Sequence, residues 1–171
     1  MAAANPIVTA IPKQKGIDIS WKSRLPHAPK LETSLVEASK KFIDACKKGD
    51  RATAEEALSE GADKNATGEF DRCGLIWAII NRHEDFAMWL MAYKRVDVNS
   101  KDCTGNDALS YCADLNMELA ATTAISHGGD VFSKNNVGFT AEMRARTRGY
   151  KRMEDMLKGN AVYRNVTEGQ M

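Results

Sequence analysis

Ionisable and nucleophilic side chains run throughout this 171-residue sequence, but few of them stand at spacings that chemistry requires. His83-Glu84-Asp85 sets an imidazole beside two carboxylates, a combination suited to proton transfer. The tripeptide opens a predicted helix, however, where acids simply favour the positive end of the dipole. His127, just before Gly128, stands at a predicted helix end, where a cation is favoured for the converse reason. Cys46, Cys73, Cys103 and Cys112 form no Cys-x-x-Cys pair, and His27, His83 and His127 do not stand at ligand spacing from them. Cys46 and Cys112 fall at small, buried positions, and all four thiols are expected to be free. No His-Glu-x-x-His, phosphate-cradling glycine loop or Gly-x-Ser-x-Gly elbow occurs. Asn65-Ala66-Thr67 and Asn165-Val166-Thr167 match glycosylation sequons that carry no weight without a secretory signal. The expectation is a protein that is not an enzyme, with no catalytic residues, no cofactor and no metal.

The bulk properties bound the alternatives. Hydrophobic residues make up 43% and charged residues 27%, which suits one folded domain of this length. A net charge of +1 gives no overall pull towards nucleic acid or anionic lipid. No apolar run approaches the ~20 residues of a membrane span. Met1-Ala2-Ala3-Ala4-Asn5-Pro6 lacks the features of a secretory leader. The expected localisation is cytoplasmic, or a host cytosol reached without a cleaved signal peptide.

The elements that position these residues recur at a fixed interval. Gly61-Ala62-Asp63, Val96-Asp97-Val98-Asn99 and Gly128-Gly129-Asp130-Val131 place their aspartates 34 and then 33 residues apart. Gly49, Arg82, Asn116 and Gly149, at predicted turns between helices, are spaced 33, 34 and 33. One inserted residue near Lys94-Arg95 explains the odd interval in both series. A period of 33 is the mark of stacked helix–turn–helix units joined by β-turns.

Residues 1–33 read as a separate, basic N-terminal arm. They hold all four prolines, and Lys13, Lys15, Lys22, Arg24 and Lys30 face one aspartate, Asp18. Proline argues against regular helix here. Ile17-Asp18-Ile19-Ser20-Trp21 alternates apolar and polar like a short strand, and Trp21 either packs on the first repeat or reaches a partner. Order is expected from Ser34, where Ser34-Leu35-Val36-Glu37 reads as a capping box ahead of the stripe Leu35, Ala38, Phe42, Ala45 and Cys46. Helix pairs are expected to continue to 159, in repeats 34–66, 67–100, 101–133 and 134–159, with an irregular tail at 160–171.

These residues resemble the ankyrin repeat family. Residues 42–66 look like a repeat lacking its leading turn, and the third unit matches best, through Lys101-Asp102, Gly105, Asp107-Ala108-Leu109-Ser110 and Gly128-Gly129-Asp130-Val131. The family's Thr-Pro-Leu-His stands here as Cys73-Gly74-Leu75-Ile76, Asp107-Ala108-Leu109-Ser110 and Thr140-Ala141-Glu142-Met143, a departure that removes local hydrogen bonds. The resemblance implies an all-α ankyrin solenoid of about four helix–turn–helix units joined by β-turn fingers, with a concave face of inner helices and fingers. It implies a non-catalytic module that binds a protein target rather than a small-molecule substrate, nucleic acid or a membrane. Glu142, at a usually apolar position, fits a terminal unit facing water.

Positions without a packing role are the expected binding residues: Glu69, Phe70, Arg72, Asn81, Asn106, Tyr111, Leu115, Asn136, Val137, Phe139 and Arg148. Phe70 and Phe139 read as equivalent turn positions two repeats apart. Trp77 and Trp89 are expected in the core. Arg144, Arg146, Arg148, Lys151 and Arg152 read as the solvated face of a capping repeat, with an acidic protein patch as the other reading. The leading function is an adaptor, effector or inhibitor that occupies its target. The alternative is a structural or assembly subunit whose N-terminal arm docks on a neighbouring chain.

Overall fold

The two series of repeat markers are left-handed backbone positions. Gly49, Arg82, Asn116 and Gly149 have φ of 70°, 62°, 57° and 77°, and Gly61, Arg95 and Gly128 have 97°, 50° and 90°. Each stops a helix and turns the chain back on itself. The structure is a computed structural model that describes the backbone of residues 28–168 and the side chains of residues 33–161. Among the described residues there are eight α-helices: α1 (Ala28–Lys48), α2 (Arg51–Ser59), α3 (Gly74–Ile80), α4 (Glu84–Trp89), α5 (Ala108–Leu115), α6 (Glu118–Ser126), α7 (Ala141–Arg148) and α8 (Lys151–Glu168). The inner helices α1, α3, α5 and α7 pack side by side, and each is backed by its successor.

The inserted residue is taken up by a π-helical turn at Leu90–Lys94, which follows α4 directly. A π turn accommodates one extra residue while Leu90 and Met91 stay fully buried. Tyr93 is thereby left on the surface.

Phe42, Leu75, Ile76, Ile79, Leu90, Met91, Leu109, Met153 and Leu157 form one continuous core, interleaved with alanines that let the helices approach closely. A Cβ on Gly74 would lie 2.6 Å from Cys46 Sγ, so glycine is what lets α3 close onto α1. Side chains also tie neighbouring repeats together. Asp97 N donates to Asn65 Oδ1 at 2.9 Å, and one repeat later Asp130 N donates to Asn99 Oδ1 at 2.9 Å. Cys46, Cys73 and Cys112 are buried and free, with burial pushing each thiol's pKa up, while Cys103 is free and exposed.

Several expectations need correction. α1 begins at Ala28, so Ser34 lies inside a helix and the capping-box start is wrong. Pro29 sits in the first turn, where its missing N–H would have had no intrahelical partner. The expected tail is helical as far as Glu168, because α8 continues without a terminator. Residues 1–27, which hold most of the arm and Trp21, lie outside the described residues. Of the departures from Thr-Pro-Leu-His, only one loses its cap: Asp107 and Thr140 accept from Ser110 N and Met143 N, whereas Cys73 makes no such bond. Trp89 is buried as expected, but Trp77 is only half-buried.

Three fingers precede α3, α5 and α7, and two share one brace. Asp102 Oδ1 accepts from Thr104 N and Asn106 N, and Asn135 Oδ1 accepts from Val137 N and Phe139 N. In the first finger the equivalent residue is Gly68, which has no side chain to supply a brace. That finger also lacks the glycine of Gly105 and Gly138, and Phe70 and Asp71 take φ of 61° and 57° instead. Left-handed backbone costs an L-residue ~1–2 kcal/mol, partly offset by glycine's larger entropy in the unfolded chain. Asp71→Gly is therefore expected to stabilise the protein by about 0.5–1 kcal/mol, seen as a higher thermal midpoint. A lower midpoint would mean that the first finger is not held in this conformation.

Candidate functional site

The inner helices present a strip of side chains that repeats in register. Trp77, Tyr111 and Arg144 occupy equivalent places on α3, α5 and α7, spaced 34 and 33 residues apart like the turn markers. Arg72, at the base of the first finger, reaches into this strip. Its guanidinium lies 5.0 Å from the Trp77 ring, 5.0 Å from the Phe70 ring and 5.8 Å from the Tyr111 ring. Lys47 Nζ covers the Trp77 ring at 4.8 Å, and the Arg144 guanidinium lies 5.9 Å from Tyr111. Cations and aromatic rings thus alternate across all four repeats, a packing in which each cation gains from the ring faces beside it.

Asp102 anchors the middle of the strip. Its carboxylate accepts from the Tyr111 hydroxyl at 2.6 Å and lies 3.6 Å from Arg72 Nε. Burial of Asp102 opposes its ionisation, but the hydrogen bonds from Thr104, Tyr111 and the Asn106 amide prevail and hold its pKa below the ordinary carboxylate value. For Tyr111, burial and the Asp102 carboxylate raise the pKa. At the far end Arg144 pairs with Asp114 and reaches Asn106 Oδ1, and Arg148 Nε lies 3.4 Å from Asp114. Asp114, Asn135, Phe139, Arg144, Thr147 and Arg148 line a shallow depression of about 330 Å³ there.

Three donors in the strip are left over. Arg72 Nε, Trp77 Nε1 and Arg144 Nε are all buried from solvent, and among the described residues none has a hydrogen-bond acceptor. All three atoms are closed off from solvent, and Arg72 Nε still lies 3.6 Å from the Asp102 carboxylate, so what the strip offers a partner is the partly exposed remainder of Lys47, Arg72 and Arg144.

The residues singled out in the sequence divide into three groups. Phe70 is 61% and Val137 76% exposed, at equivalent finger tips, with Glu69 and Asn136 also exposed beside them. Phe139 is exposed but not equivalent to Phe70; the N-caps Cys73, Asp107 and Thr140 set a register in which Phe70 matches Thr104 and Val137, while Phe139 matches Asn106 and Arg72. Arg72 and Tyr111 are half-buried within the strip, and Leu115 packs against the core. Asn81 is exposed and donates to Lys47 O at 2.9 Å, and Arg148 is exposed beside Asp114. Asn106 is a correction. It is buried rather than at a tip, donating to Thr104 Oγ1 and accepting from Asn135 Nδ2, so it braces two fingers.

Sequence reasoning missed Trp77, Lys47, Asp102 and Arg144 as members of the surface. The signal was present, since the 34- and 33-residue steps that align the turns also align Trp77, Tyr111 and Arg144. The basic run is no loose charge cluster either. Arg146 pairs with Glu142 and Glu154, Lys151 with Asp155, and Arg152 with Glu118. Lys158 and Arg146 together lower the Glu154 pKa to about 2.

The ankyrin repeat model, in three copies, matches residues 42–135, more than half of the chain. The chain belongs to the ankyrin repeat family. No curated protein sequence matches it. Ankyrin repeats are in general non-catalytic modules for protein–protein interaction, and their all-α solenoid is the architecture found here. The family match ends at 135, short of α7 and α8, yet these continue the same stack through Ala141, Ala145, Met153 and Leu157. No helix among the described residues is long and apolar enough to cross a membrane.

Proposed function

We propose that this ankyrin repeat protein acts as an adaptor, effector or inhibitor that binds one protein target across its finger tips and concave strip. What carries the reading is the row of cations and rings, Lys47, Trp77, Arg72, Tyr111 and Arg144, lying beside exposed apolar tips at Phe70 and Val137. The partner that suits this surface offers carboxylates to the partly exposed cations of the strip and an apolar patch to the tips. Aromatic and arginine side chains are those on which binding hot spots concentrate. On the outer side Arg51 and Lys94 flank the Trp89 ring, but that ring is buried, and Tyr93, after α4, and Leu119, on α6, are exposed singly.

The test uses paired variants in quantitative binding to a cross-linked target. Phe70→Ala with Val137→Ala is expected to weaken binding at least tenfold, about 1.4 kcal/mol, with the fold intact by circular dichroism. Leu119→Ser with Tyr93→Ser on the outer side is expected to leave binding within twofold. Loss of binding in the outer pair, with the tip pair unchanged, overturns the reading. Glu84 is unsuitable as a silent control, because its carboxylate accepts from Ala120 N at 3.2 Å and joins α4 to α6.

A further inference from the structure

The fingers pair with one another through one repeated main-chain bond. Cys103 N donates to Phe70 O at 2.9 Å, and one repeat later Asn136 N donates to Thr104 O at 3.1 Å. The equivalent amide of the first finger is Glu69 N, which among the described residues has no such acceptor. The reason is that the preceding register position lies inside α1, which runs as helix from Ala28 and leaves no finger of its own. The vacated place is a groove of about 540 Å³ between α1 and residues 63–69. Leu35, Val36, Ile43 and Ala66 supply its apolar wall, and Val36 is 70% exposed. Solenoid ends ordinarily present a polar face to water, and this one presents an apolar slot with an open amide at its edge.

We propose that this groove is a docking site for the chain's own segment Ile17-Asp18-Ile19-Ser20-Trp21, which takes the place of the missing finger. The segment's alternation suits an extended strand that turns Ile17, Ile19 and Trp21 to the apolar wall and leaves Asp18 and Ser20 outward. Its main chain offers carbonyls to Glu69 N, the mode by which an extended peptide extends an open edge. Reach is sufficient. Leu35 and Ile43 lie seven and fifteen residues into α1, ~10 and ~22 Å from its start, and residues 22–27 span ~20 Å when extended. Charge neither drives nor opposes the docking: Asp44, Asp63 and Glu69 stand along the groove with Lys40 and Lys47, and Lys47 pairs with Asp44 at 3.6 Å and Glu69 at 4.0 Å. A docked segment would add one more rung to the finger row, beside Phe70.

Amide hydrogen exchange on the full chain tests this, with light scattering to fix its mass. Glu69 N–H is expected to exchange at least tenfold more slowly in the native sequence than in Ile17→Ser with Ile19→Ser, both proteins being monomers with the same helical circular dichroism. Replacing Trp21 by a photo-cross-linking residue is expected to give intramolecular links to Leu35, Val36 or Ile43. Equal, unprotected exchange of Glu69 in both proteins overturns the proposal, as does protection that appears only in a concentration-dependent dimer, which would make a second copy the occupant. Both readouts are independent of target binding, so failure here leaves the concave-face reading standing, and the converse also holds.

Discussion

Leu109→Ala is expected to lower the stability of the entire stack by about 2–5 kcal/mol, shifting the thermal midpoint by on the order of 10 °C. Leu109 is 1% exposed on α5, in the middle of the inner row, with α3 on one side and α7 on the other. Removing its side chain leaves a cavity that the flanking helices cannot fill, since they are held by the fingers and by the Asn65 and Asn99 ties. A stack with only four units, two of them terminal, has no reserve of interfaces over which to spread the loss. The transition should stay single and move as a whole, with Trp77 and Trp89 fluorescence in the second repeat tracking helical circular dichroism. An unchanged midpoint, or a second-repeat signal that melts at its original temperature, would contradict the coupling of repeats 2 and 3.

The repeat register was legible because it is written in backbone chemistry. A helix that must reverse needs a left-handed residue, and glycine or asparagine marks that place in the sequence, at Gly49, Asn116 and Gly149. The period then carried even Arg82, whose residue type alone says nothing of positive φ, and it located near Lys94-Arg95 the insertion that became the π turn at Leu90–Lys94. The ends were harder to read. Pro29 suggested an arm, but proline is compatible with the first turn of a helix, and Ser34 resembled a cap in what is helix interior. The surface was legible at its tips and less so in its strip. Phe70 and Val137 could be assigned because finger tips have few neighbours. Asn106 could not, because its burial comes from the adjacent finger's Asn135, 29 residues away. Trp77 stands at core-facing spacing on its inner helix, whereas its neighbours Lys47 and Arg72 hold it at the concave face. Contacts between repeats decided each of these cases, and a single-repeat pattern does not encode them.

The geometry of the finger row can be tested with two glycines that differ in one respect. Gly105 and Gly138 occupy equivalent positions with φ of 76° and 86°, so alanine at either meets the same backbone strain, about 1–2 kcal/mol. At Gly138 a Cβ would meet nothing within 4 Å. At Gly105 it would lie 2.4 Å from Asn136 Oδ1 and 2.8 Å from Asn136 N, the amide that pairs the third finger with the second. A side-chain oxygen could swing away, but the main-chain nitrogen moves only if the whole third finger shifts. Gly138→Ala is therefore expected to cost about 1 kcal/mol, and Gly105→Ala that amount plus an overpacking cost of ~1–3 kcal/mol. Gly105→Ala should also weaken target binding, because displacing Asn136 carries Val137 away from its place in the row of tips. Gly138→Ala should bind nearly as the native sequence does once it is folded. Equal losses in stability for the two variants, measured by chemical denaturation, would mean that the second and third fingers are not in the contact described, and the continuous row of tips would lose its basis.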